Sequence, residues 1–412
     1  MSKSRLISFE VLNDVFKNNA YSNIALDNAI KDCSKEDKAF ITALTYGVIE
    51  RKITLEYIAD KFLDKKPKGK VNTLILMGIY QLCFMDKIPS SAAVNETVKL
   101  ADEVGCSYYK SLINAVLRKA DKERIDINSF DSLSVKYSFP EHLVNMLKKQ
   151  YGQDEIENIL KAFNTKAPVF AIPNSLYVTA DELWYELTDE GVLCEAYGEV
   201  VKIFSGFSAD KSVAFKNGLF HIEDLSSFEC ARALETKKGE RVLDMCCAPG
   251  GKAFTIAQSG AEVYAYDLHP HRVKLIEDGA KRLGLTNISC AVNDALKLNE
   301  SIPKADKILC DVPCSGFGII RRKPEIRYKD LDSIKELPEI QYGILSVSSK
   351  YLKDGGRIIY STCTLNKKEN ERVVKRFLEN NPDFRLINEK TTLPEIDGGD
   401  GFYFALMEKT ND

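Results

Sequence analysis

The chain has little histidine, a single tryptophan, no CxxC pair and no apolar run near the roughly twenty residues that span a membrane. Each lack excludes something. With 4 histidines and no Cys/His ligand spacing, a structural zinc site is not expected, and metal is absent from the expected cofactors. An odd count of 11 scattered cysteines argues against a disulfide framework and for a reducing compartment. The amino-terminal stretch MSKSRLISFEVLNDVF is amphipathic, unlike a secretory signal, so a cytoplasmic protein is expected, with no membrane partner. Positive charge is not in excess either: 57 Lys and Arg stand against 60 Asp and Glu, a formal charge of -3. Any polyanion must therefore be held by local patches. There is no repeat of fixed period and no low-complexity tail.

What is present divides by texture. At 412 residues, several domains are expected. Residues 1–125 repeat apolar positions at helical spacing, as in Ile41, Leu44, Val48 and Ile49, or Val94, Val98, Ala101 and Val104. This reads as an all-α domain, equally well a structural bundle or an RNA-binding module. Residues 126–235 mix a helix ending at Gly152 with short apolar runs (PVFAIPN, VVKIF, GLFHIED), a small α+β connector domain. Trp184, within it, is expected in the core. Residues 236–412 alternate strand and helix, the pattern of an α/β Rossmann-like domain with crossover helices. Strands are predicted over 241–245, 262–266, 288–292, 307–309, 357–360 and 402–407, and helices over 270–283 and 368–378.

Chemistry gathers at the ends of those strands. Cys246, Cys247, Ala248, Pro249, Gly250, Gly251 and Lys252 follow the first strand and open a helix, a turn where backbone approaches a ligand closely. The spacing is not GxGxxG, which lowers a dinucleotide reading. Asp244, Asp267 and Asp294 end or follow three successive strands, a set suited to an adenosine-containing cofactor: a ribose diol for Asp267, an adenine amino group for Asp294.

Two further strands end in Asp311-Val312-Pro313-Cys314 and Ser361-Thr362-Cys363. A lone cysteine would be read as buried and inert. Two at neighbouring strand ends beside a cofactor turn are nucleophile candidates. Carbon 5 of cytosine is a poor nucleophile until a thiolate adds to carbon 6 and the ring nitrogen takes a proton, a role for a protonated Asp311. One thiol would attack and the other assist release, with the base drawn out of any stack. Arg321, Arg322, Lys323 and Arg327 crowd the segment after Cys314, where phosphate contact is preferred over a merely solvated face. Lys65, Lys66, Lys68 and Lys70 form another run, for which the two readings stay level.

The runs DMCCAPGGK, DVPCSGFGIIRRKPEIRY and YSTCTLNKKENERV, with the terminal DGFYFA, resemble the motifs of the RNA cytosine-5 methyltransferase family, the NOL1/NOP2/Sun group. ALTYGVIERKITLEYIADKF and AAVNETVKLADEVGCSYYKSLINAVLRK resemble the NusB-like helical domain that its RsmB/Sun type carries. The resemblance implies S-adenosylmethionine as cofactor, bound by Cys246 to Lys252, Asp267, Arg272, Asp294 and Asp311. It implies Cys363 as nucleophile, Cys314 in product release and Asp311 as catalytic acid. It implies small-subunit (16S) ribosomal RNA as substrate; a monomer is expected. Val312, Phe317 and Cys247 stand where alanine, threonine and alanine are common. Action on tRNA or another RNA, or a non-catalytic RNA-binding or assembly role, remain the alternatives.

Overall fold

Apolar residues three and four apart line one face of a helix, and in the first part of the chain such faces have only one another to cover them. The computed structural model describes residues 2–18, 20–123, 125–396 and 398–410. Helices Ser2–Asn18, Lys35–Glu50, Lys52–Asp60, Lys70–Phe84, Ser90–Glu103 and Lys110–Glu123 enclose one core in which Leu12, Ile41, Leu44, Leu74, Ile75 and Ile113 are fully buried or nearly so. Ser34 starts its helix by accepting the Asp37 N–H at 3.2 Å. Helices Leu133–Tyr137, Glu141–Tyr151 and Gln153–Phe163 belong to the same compact unit, which spans Met1–Thr165 and also takes in Ile320–Lys329. By contact, the stretch 126–165 thus groups with the amino-terminal helices.

The second unit is Lys166–Ile319 with Asp330–Asp412. It begins with a small antiparallel sheet of β1 (Val169–Pro173), β2 (Leu193–Tyr197), β3 (Val200–Ser205) and β4 (Phe220–Glu223), in the order β2-β3-β1-β4. Leu183 and Leu187 of helix Ala180–Asp189 cover one face, on Ala171, Val201, Ile203 and Phe220. Trp184 packs at the margin of this cluster, half-buried, its Nε1–H donated to the Cys194 carbonyl at 3.2 Å. Phe170, Ile172 and Val200 on the other face meet Phe228.

The large sheet comprises β5 (Arg241–Asp244), β6 (Glu262–Asp267), β7 (Ile288–Val292), β8 (Ala305–Asp311), β9 (Leu352–Thr362), β10 (Phe384–Thr392) and β11 (Phe402–Lys409), in the order β10-β11-β9-β8-β5-β6-β7. β5 to β9 are parallel, and β10 and β11 run antiparallel. Successive residues go to opposite faces: Ile358 and Tyr360 join one core, and Ile359 joins the other. Helices Gly251–Ala257 and Pro270–Arg282 cover one side, and Leu337–Ser349 and Glu371–Asn380 the other. This is a doubly wound sheet whose order reverses between β5 and β8, and a ligand crevice opens beyond such a reversal.

The strand expectations meet the structure in place but not always in extent. β8 and β9 are longer than the predicted 307–309 and 357–360, so Gly355 and Gly356 lie inside a strand. β2 and β10 were not anticipated. Both are largely exposed, so neither carries the apolar alternation that marks a half-buried strand.

Candidate active site

Five strands end on the side where the order reverses, and each delivers a polar group. β5 delivers Asp244, 1% exposed; burial pushes its carboxyl up to about 7, with Asp311 adding to the rise against a hydrogen bond from Cys247. The turn beyond it, with a cis Ala248–Pro249 peptide, brings Gly250 to φ +112. A Cβ at Gly250 would also stand 2.5 Å from the Phe254 ring, so no side chain fits. Ala248 N–H is donated to Asp267 Oδ2 at 3.3 Å, and His269 N–H to Asp267 Oδ1 at 3.2 Å, tying the first two strand ends together. Arg272 lies over this junction, 3.4 Å from Asp267 Oδ2 and donating to the Ala248 carbonyl at 2.9 Å. Asp294, past β7, is paired with Lys297 at 3.0 Å, and that hydrogen bond is the main cause of its lowered pKa.

The Cys247 side chain packs into the core, its N–H goes to the Tyr266 carbonyl at 2.8 Å, and its carbonyl accepts the Gly250 N–H at 2.9 Å, which closes the turn. Burial raises the Cys246 and Cys247 thiols well above the usual range.

β8 delivers Asp311. Its Oδ2 is 2.7 Å from Lys252 Nζ, and its Oδ1 accepts the Ser361 hydroxyl at 2.9 Å. Burial would lower the Lys252 pKa, but Asp311 and Glu223 outweigh it and the net shift is upward. Lys252 is thereby held as an ammonium beside Asp311. Removing either partner would strand a largely desolvated charge, at a cost of about 3–5 kcal/mol.

The two cysteines meet. Cys314, three residues past Asp311, and Cys363, one past Thr362, place their sulfurs 3.3 Å apart, and both are free thiols. The hydrogen bond with Cys363 and then burial hold the Cys314 thiol well above its ordinary range, and either sulfur can be the donor of the bond between them. Parallel pairing of Asp311 with Ser361 brings the two strand ends level. Gly318 locks the loops: its N–H bonds the Cys363 carbonyl at 2.9 Å, and a Cβ there would fall 1.8 Å from the Gly401 oxygen. Asn370 braces the end of β9, accepting from Thr362 Oγ1 at 2.6 Å and donating to the Thr364 carbonyl at 2.8 Å.

The basic run divides. Arg327 is wholly buried in the helical unit, its Nη1 donating to Glu50 O at 2.7 Å, Ser138 O at 3.3 Å and Asn164 Oδ1 at 3.1 Å, with its guanidinium 4.3 Å from the Phe139 ring centre. It cannot reach a phosphate, and the expectation for it is withdrawn: the segment needs a cation to satisfy inward-pointing carbonyls. Arg321 is also buried, whereas Arg322 and Lys323 are half-buried, with Lys323 Nζ 5.7 Å from the Tyr21 ring centre. Sequence reasoning missed Lys252 as partner of Asp311, and Gln341, Ser361, Glu369 and Asn370 around the cysteines. Glu369 and Asn370 lie inside a run quoted for its motif, and a polar pair two turns past the cysteine was the available signal. Among the described residues, no His/Cys/Asp/Glu group is placed to hold a metal, and no helix is long and apolar enough to cross a membrane.

Three families match in register along the chain: the NusB family over residues 2–122, an RsmF/B-like ferredoxin-like domain over 139–203, and the 16S rRNA methyltransferase RsmB/F over 231–408. A probable ribosomal RNA small subunit methyltransferase B of Bacillus subtilis is 36% identical, with 98% of each chain covered. A second, of Synechocystis, is 30% identical over 99% of this chain and 100% of its own. The crystal structure of PH0851 is similar at a TM-score of 0.84 and 25% identity, with 99% of each chain covered.

Proposed function

The chain belongs to the RsmB/F family of 16S rRNA methyltransferases, and from that premise we propose that it methylates carbon 5 of a cytosine in small-subunit ribosomal RNA through a covalent adduct on Cys363. The observation that carries this reading is the 3.3 Å separation of the Cys314 and Cys363 sulfurs at adjoining strand ends. A methyltransferase acting on an oxygen or an amino nitrogen needs no thiol; one acting on carbon 5 needs a nucleophile for carbon 6 and a group that aids loss of the carbon 5 proton.

The donor set suits S-adenosylmethionine. Asp267 and Asp294 are carboxylates past adjacent strands at the ribose and adenine positions, and the turn 246–252, with Gly250 open to close approach, lies beside them. Asp244 and Arg272 would complete the wall. Bound there, the cofactor supplies an electrophilic sulfonium methyl. The chain's own groups do the rest. Cys363 Sγ adds to carbon 6 and its electron pair becomes the carbon–sulfur bond, while a proton passes to ring nitrogen 3. Asp311 orients that edge of the base, and the Lys252 ammonium beside it is the proton store. After methylation carbon 5 bears both methyl and proton. Cys314, ionised for this step, takes the carbon 5 proton, the electrons of that bond re-form the ring double bond, nitrogen 3 returns its proton to the Asp311–Lys252 pair, and Cys363 leaves as thiolate.

Half-buried Arg322 and Lys323 are assigned to RNA phosphates. The division of labour is read as 1–125 for RNA or particle recognition, 126–235 as connector and 236–412 for catalysis, in a monomer. The deciding experiment is methyl transfer to small-subunit ribosomal RNA followed by nucleoside mass spectrometry. 5-Methylcytosine is the expected product. Any other methylated nucleoside, formed with equal efficiency by the Cys363→Ala protein, refutes the adduct.

A further inference from the structure

Glu369 has no part in the scheme above, yet it is a fully buried carboxylate one loop away from both thiols. Three donors converge on it. Its Oε2 accepts the Ser315 N–H at 2.8 Å and Gln341 Nε2 at 3.0 Å, and its Oε1 accepts Asn366 Nδ2 at 2.8 Å. The same Gln341 nitrogen also donates to the Pro313 carbonyl at 3.0 Å. Pro313 and Ser315 flank Cys314, so the peptides on both sides of that cysteine are gripped by one acid–amide pair. Ser315 Oγ is further linked to Thr364 Oγ1 at 2.7 Å, next to Cys363.

The chemistry of the pair is specific. A carboxylate only accepts, so it can satisfy three converging donors; an amide in its place would turn two N–H groups toward donors. Gln341 is itself buried with its Oε1 lacking a hydrogen-bond partner among the described residues. That is a cost which a leucine would avoid, and what Gln341 contributes in return is its two N–H bonds, to the Pro313 carbonyl and to Glu369.

We propose that Glu369, through Gln341, is a positioning residue that fixes the Cys314 loop for the release step. The proposal rests on the cysteine roles given above and deepens them: Glu369 touches neither base nor cofactor, and sets where the Cys314 sulfur stands when the carbon 5 proton must leave. Loss of the clamp should spare attack by Cys363 and the first methyl transfer, and slow resolution of the adduct.

The test uses the full chain, S-adenosylmethionine and transcribed small-subunit ribosomal RNA, with a denaturing gel to count trapped protein–RNA complex. In Glu369→Gln, multiple-turnover methylation should fall by about 100-fold, the penalty of a roughly 1 Å misplacement, while single-turnover methyl transfer persists and a denaturation-resistant complex accumulates. A merely structural role would lower both rates together without trapping. Binding of S-adenosylhomocysteine reports whether the variant folds; if it does not, Gln341→Ala carries the test, with partial trapping expected. Wild-type turnover, or loss of the first transfer without trapped complex in a variant that still binds cofactor, overturns the proposal. Cys314→Ala is the reference: if it fails to trap, the cysteine roles fall and the clamp's with them; if it traps and Glu369→Gln does not, the clamp alone is wrong.

Discussion

The run from Asp311 to Tyr328 looks like one motif, yet its two halves have opposite fates. From Asp311 to Gly318 every prominent polar group serves the thiol pair: Asp311 pairs with Lys252, Ser315 with Glu369 and Thr364, and Gly318 with the Cys363 carbonyl. From Ile320 to Lys329 the chain belongs to the helical unit. There Glu325 accepts from the Ser22 hydroxyl at 2.6 Å, Arg327 satisfies three oxygens, and the Tyr328 hydroxyl bonds the Ile49 carbonyl at 2.6 Å. Charged residues a few positions apart can thus be reagents or anchors, and which they become depends on what surrounds them.

The comparison breaks most sharply at the first half. Cys363→Ala should lower methyl transfer by about 10,000-fold or more and abolish the adduct, while Cys314→Ala should form the adduct and retain it. Equal, adduct-free loss in both would mean the sulfurs do not divide the work.

The second half should break through stability. Arg327→Ala leaves a cavity and three orphaned oxygens, a loss of about 3 kcal/mol or more in thermal or denaturant unfolding. A variant of unchanged stability would restore Arg327 to the RNA-contact side.

A pH test sharpens the site's own character. Asp244 rises from 3.8 to about 7 on burial, so the folded state keeps a proton that the unfolded chain gives up. Stability is therefore lost as pH climbs from about 4 to 7, by up to about 4 kcal/mol from this group. Asp244→Asn has no such titration. Its stability relative to the natural protein, without cofactor, should improve steadily across that window, and a gap independent of pH would contradict the burial argument.

The smallest effect expected is at Arg322. Its replacement by alanine should weaken RNA binding across sequences and reduce the log-affinity against log-salt slope by about one, whereas Arg327→Ala should leave that slope alone.

Much was legible without coordinates. Strand-turn-helix at 241–257, acids after successive strands, and two cysteines just beyond strand ends all follow from short-range patterns, since the periods of two and 3.6 are written within a few residues. The three-layer class of the carboxy-terminal part, and the helical amino-terminal part, follow likewise. β2 and β10 escaped because exposed strands carry no such pattern.

By itself, then, the sequence determined the parts and the side of the sheet on which they lie. Only the tertiary structure decided which of them touch. It set the two sulfurs 3.3 Å apart although 49 positions separate them, paired Asp311 with Lys252, gave Glu369 three donors, and sent Arg327 to a carbonyl 277 positions away. The physical reason is that a hydrogen bond or a buried charge is settled by whichever groups converge on it in space, and convergence of distant segments leaves no local trace in composition or period.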